Sequence, residues 1–133
     1  MPGVTWVELF VVFAVSHLVG DFLLQTDWQA TRKFGGLGPS PESRRALLSH
    51  TITYTLAFVP ALIWLASDIG AWAIGVAVLI GLPHMIQDDG RLLDAYLRRV
   101  KRVQGEPPGG LRLALDQSFH MVFLFLLALL ATA

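Results

Sequence analysis

Four histidines and three aspartates stand inside otherwise apolar stretches of this chain: His17 and Asp21, His50, His84 and Asp88, and Asp116 and His120. Ionisable side chains are expensive in such surroundings and must face something inside the protein. Residues four apart on a helix point the same way, offset by about 40° per step. His17, Asp21 and Gln25 therefore read as one polar stripe on an apolar helix. Imidazole and carboxylate without thiolate suit Zn²⁺, Mn²⁺, Fe²⁺ or Ni²⁺. Seven candidate ligands (His17, Asp21, His50, His84, Asp88, Asp116 and His120) exceed a closed tetrahedral site. The surplus allows two ions, or one ion whose histidines are oriented by aspartates.

The order within the pairs carries more than the pairs themselves. Two segments read His-x-x-x-Asp (His17/Asp21, His84/Asp88) and the last reads Asp-x-x-x-His (Asp116/His120). If successive segments cross a bilayer in alternating directions, this reversal puts histidine deeper and aspartate shallower in all three. At 1.5 Å per residue, His17 lies about 11 Å before Leu24, His50 about 6 Å inside its span and His120 about 14 Å inside its own. Every histidine then falls in the same half of the bilayer.

The elements that must position these groups are apolar helices. Hydrophobic residues make up 54% of the 133 and charged residues only 15%, against roughly 25% charged in soluble domains. Mean hydropathy is +0.58. The segments expected to span a membrane are 4–25, 46–66, 71–88 and 111–132, in a single membrane domain. Thr5 and Glu8 fit a capping box at the first start, and no positive charge precedes that segment as a signal peptide would require. The stretch 26–45, with its glycines and prolines, reads as a loop. Pro60 predicts a kink in the second span, and Ser67–Gly70 a tight turn. Residues 91–103 alternate Leu92, Leu93, Tyr96 and Leu97 with arginines, as an interfacial amphipathic helix would; a straight continuation of the third helix is the other option. The expected fold is all-α: an integral-membrane four-helix bundle of up-down topology.

All ten Lys and Arg lie in the first loop or between the third span and the start of the fourth. The positive-inside rule makes those loops cytoplasmic and puts both termini outside an inner (plasma) membrane. The lipid bilayer is then the principal partner. The formal net charge of zero gives no reason to expect nucleic acid. Cysteine is absent, which excludes disulfides, thiolate metal sites and cysteine nucleophiles.

The stretches His17-Leu-Val-Gly-Asp-Phe-Leu-Leu-Gln-Thr-Asp-Trp28 with Lys33, Leu48-Ser-His50, His84-Met-Ile-Gln-Asp88 and Leu115-Asp-Gln-Ser-Phe-His120 resemble those of DUF3307, a family of small bacterial membrane proteins of unknown function. Asp89-Gly90 departs from the aromatic or basic continuation that the resemblance implies. The style of the His/Asp motifs is also similar to that of the DUF457 group, described as membrane-bound metal-dependent hydrolases.

These readings converge on a metal-dependent hydrolase of the cytoplasmic membrane face, acting on a lipid or lipid-linked ester or phosphoester. One or two divalent transition-metal ions (Zn, Mn or Fe) at the seven ligands would acidify a bound water. Asp21, Asp88 or Asp116, where not ligating, offers a general base. Gln25 and Gln117 offer oxyanion donors, and Lys33 a phosphate contact. The alternatives are a non-enzymatic metal or proton handler, which with four spans would need a homo-oligomer, bis-histidine haem, and polar residues that only lock helices together.

Overall fold

The computed structural model describes residues 3–133, and among them there are helices and no strands. Helix α1 (Trp6–Leu18) starts at the Thr5 capping box, where the Thr5 N–H donates to the Glu8 carboxylate (3.0 Å). It does not run on to residue 25 as a regular helix. From Val19 to Leu23 the backbone widens into a π-helical turn, closed by the Leu24 N–H donating to the Val19 carbonyl. Gly20 sits against the backbone of Tyr54 there, and a Cβ would stand 2.6 Å from the Tyr54 ring. Such turns cluster at functional sites because one extra residue re-aims the side chains around it.

The expected loop 26–45 holds more structure than its glycines and prolines suggested. Helix α2 (Asp27–Arg32) forms on a second capping box, Thr26 with Gln29. Helix α3 (Pro41–Ala57) begins five residues before the predicted span, capped by Ser40 with Pro41 at its first position. The Pro60 kink is present: α4 (Val59–Ile69) leaves α3 at 55°, because proline offers no N–H and crowds the carbonyl four residues back. The chain reverses at Gly70–Ala71, later than expected.

Helix α5 (Trp72–Asp88) keeps Pro83 inside and ends at Asp89–Gly90. Gly90 takes φ +80°, so the straight continuation of this helix is ruled out. Helix α6 (Arg91–Arg99) is shorter than the 91–103 expected; it buries Leu93 and Leu97 and packs on α5 and on the last helix. Helix α7 spans Leu111–Ala131.

Helix α1 packs against α7, α3 and α4, and α5 against α3, α4 and α7. One end of the packed helices is an apolar core of Leu9, Phe13, Phe58, Ala61, Leu65, Val76, Ile80, Leu124, Leu127 and Ala128. The other end holds the buried polar residues, and Tyr54 stands between them. The outward faces are apolar too, with Val11, Val15, Ile63, Ile74, Val122 and Leu130 all exposed. Apolar side chains turned outward on this scale go with membrane association. Two helical segments, Trp6–Leu23 and Leu111–Ala131, are long and apolar enough to cross a membrane, and the bent pair α3–α4 makes a third only if it is counted as one span.

Candidate metal centre

Three separate elements bring four donor groups to one point. The π-helical turn aims Asp21 inward, α3 supplies His50, and α5 supplies His84 and Asp88 one turn apart; all four are buried. His50 Nε2 lies 3.1 Å from His84 Nε2, 3.2 Å from Asp21 Oδ1 and 2.9 Å from Asp88 Oδ2. His84 Nε2 lies 3.6 Å from Asp21 Oδ1 and 3.1 Å from Asp88 Oδ2. Ligands about 2.0–2.1 Å from a zinc ion stand roughly 3.3 Å apart in a tetrahedron. These separations bracket that value. Hydrogen bonding fits less well, since each ring nitrogen carries at most one hydrogen and two Nε2 atoms face each other.

A second group adjoins the first. Asp88, Asp116 and His120 each place a donor atom within 4.8 Å of the other two. His120 Nδ1 lies 2.8 Å from the Asp116 backbone carbonyl. A carbonyl only accepts, so Nδ1 carries the hydrogen and the neutral ring keeps its lone pair on Nε2.

His17 joins neither group. Its Nε2 donates to Gln117 Oε1 (2.8 Å), which leaves Nδ1 to accept from the Tyr54 hydroxyl (3.0 Å). Both nitrogens are engaged, and the Nδ1 to Asp21 Oδ2 separation is 3.6 Å. Gln117 donates from its amide to Asp21 Oδ2 (3.4 Å) and Asp116 Oδ2 (3.2 Å). Both amide hydrogens thereby orient carboxylates, which leaves none for an oxyanion. Gln25 lies beyond the π-helical turn and off the helical stripe expected for it. With its amide oxygen toward Lys33 Nζ (2.7 Å), its nitrogen donates to the Asp21 carbonyl (3.2 Å). Lys33 caps α2 and donates to Asp88 Oδ2 at 2.6 Å.

Residues 9–133 match the family described as "Protein of unknown function (DUF3307)". The chain belongs to that family. No curated protein and no solved structure matches it. The family description brings no activity, so the chemistry of this DUF3307 member rests on its own residues.

Two residues that the spacing argument passed over belong to the site. Tyr54 stands four residues after His50, on the same face of α3; its ring stacks on His84 (centroids 3.4 Å apart, planes within 4°). That i, i+4 relation was readable, but tyrosine in an apolar run is ordinarily core. Asp89, 3% exposed, holds the loop after Lys33: its carbonyl accepts from Gly35 N–H and its Oδ1 from Leu37 N–H, both at 2.8 Å. No local signal in the sequence marks that link.

A cleft of about 380 Å³ reaches the site, lined by Lys33, Phe34, Asp88, Leu93, Arg112 and Asp116 among others. It shares Leu93 and Asp116 with an apolar cleft of about 420 Å³ that runs along Phe119, Val122 and Leu126.

Proposed function

We propose that the chain is a four-span, up-down membrane protein whose Asp21/His50/His84/Asp88 cluster binds a divalent transition metal and serves hydrolysis at the cytoplasmic face. The observation that carries the metal reading is the convergence of four buried donor groups within 4.8 Å of one another, with every separation that involves a histidine nitrogen between 2.9 and 3.6 Å. Placement of the basic loops supports the orientation, with both termini outside. A divalent ion there would supply an acidified water. The chain itself supplies the substrate contacts: Lys33 and Arg112 line the cleft beside Asp88 and Asp116 and suit an anionic group, and the adjoining apolar cleft suits a lipid tail. A lipid or lipid-linked phosphoester fits both.

Transport is the weaker reading, because the apolar core from Leu9 to Leu65 fills the helix interior beyond the cluster and offers an ion no polar path. A storage or structural metal is better placed, since four protein donors in a buried position match a closed site.

Metal quantification on detergent-purified protein tests the centre. The wild type is expected to retain stoichiometric transition metal and His84→Ala to lose it; equal metal content, or none in either, overturns the reading. Release of phosphate or alcohol from a phosphoester lipid in mixed micelles tests the hydrolysis. A metal-loaded protein no faster than its chelated form would leave the storage reading.

A further inference from the structure

We infer that Asp88 bridges two ions, with a second divalent cation held by Asp88 Oδ1, His120 Nε2 and Asp116. This rests on the reading that the four-donor cluster binds metal, and it adds a division of labour: the first ion is enclosed and the second faces the cleft.

The observation behind it is a pair of buried atoms. His120 Nε2 and Asp88 Oδ1 meet at 3.3 Å without hydrogen-bond alignment, and neither has a hydrogen-bond partner among the described residues. The side chains are only 2% and 1% exposed. Buried polar atoms are normally satisfied, and two orphans facing each other call for an explanation. The His120 tautomer sharpens the point. With Nδ1–H donating to the Asp116 carbonyl, the ring in its neutral form turns a lone pair toward a carboxylate oxygen. A cation between them satisfies both.

The arrangement around the pair fits a shared site. Asp88 Oδ2 faces His50 and His84, while Oδ1 faces His120. A carboxylate used through both oxygens spans two ions about 3.5–4 Å apart. Gln117 ties the groups together by donating to Asp21 Oδ2 on one side and Asp116 Oδ2 on the other. The accessibility of the two groups differs. Asp21, His50 and His84 are all under 8% exposed, whereas Asp116 is half-buried and lines both clefts. Three protein ligands leave positions for water and substrate, which is the pattern of catalytic sites. Two dications against three carboxylates also leave the cleft positive beside Lys33 and Arg112, which favours an anionic ligand.

The test is Mn²⁺ and Zn²⁺ loading of metal-free protein in detergent, read by ion count and by electron paramagnetic resonance of the manganese form. The wild type is expected to bind two ions per chain and show an exchange-coupled manganese signal. His120→Gln and Asp116→Asn should each bind one ion and show an isolated-manganese signal. One ion in the wild type, kept in both variants and lost in His84→Ala, overturns the second site and leaves the first centre standing. Two ions in the wild type and in both variants overturns the placement. No ion in the wild type sinks the metal reading itself. If His120→Gln does not fold, the half-exposed Asp116→Asn decides alone.

Discussion

Lys33 and a metal ion in the proposed centre would compete for one oxygen. The ammonium donates to Asp88 Oδ2, the same atom that faces His50 and His84. Without metal, Lys33 offsets the charge of a buried carboxylate; with metal, it adds repulsion. Lys33→Met should therefore lower the melting temperature of the metal-free protein, by about 3 kcal/mol of stability for an uncompensated buried charge. Zinc should then raise the melting temperature of this variant more than that of the wild type. An equal rise in both would show that Lys33 does not compete. His17 supplies a second contrast. Its two nitrogens are engaged by Gln117 and Tyr54, so His17→Ala should keep the ion of the first centre while His50→Ala loses it, as elemental analysis would show. Loss of metal from both would restore His17 as a ligand.

At the scale of elements, the π-helical turn decides where Asp21 points. Its fit depends on Gly20, where a Cβ would stand 2.6 Å from the Tyr54 ring and 3.3 Å from the Tyr54 Cα. Gly20→Ala should cost about 2 kcal/mol, the range of overpacking in a filled interior, and should reduce metal content by moving Asp21. Gly75→Ala is the control: nothing lies within 4 Å of its added methyl group, so helix propensity makes it neutral or stabilising by up to about 1 kcal/mol. Thermal melts of the two variants in one detergent give the comparison. Similar stabilities would mean that the turn yields without cost. Helix α6 lines the cleft through Leu93, and Asp89 ties that helix to the Gly35–Leu37 loop: it accepts from Leu37 N–H and pairs with Arg91 at 2.5 Å.

The whole molecule has two ends of different character along the helix axes, one filled with apolar side chains and one with histidine and aspartate. The four-span reading turns that difference into a topology. Because the sequence holds no cysteine, single introduced cysteines report sidedness directly. In intact cells, Ala71→Cys should react with a membrane-impermeant maleimide. Gln104→Cys, in the segment between α6 and α7, should react only after permeabilisation. The opposite pattern would invert the protein and move the cleft to the outer face. Chelation should lower the melting temperature of the assembled protein, since an ion bound only by the folded state stabilises it by mass action.

Residue type and order were enough to indicate a helical, membrane-associated chain and to select His17, Asp21, His50, His84, Asp88, Asp116 and His120 as a set. Apolar periodicity and the cost of burying ionisable groups act locally and along one helix at a time, so they can be read from a string. The reversed Asp116/His120 order, in particular, needed only alternating helix directions. What the string could not carry was the division within the set. That His17 turns to Gln117 and Tyr54, and that the Asp88 oxygens face different histidines, depends on the π-helical turn and on Gly20 meeting α3. These are contacts between residues far apart in the chain, settled by how the helices pack. The Asp89 tie to Leu37 escaped for the same reason, whereas the helix begun at Pro41 was signalled locally by Ser40 and Pro41 and was masked by the glycines and prolines that read as a loop.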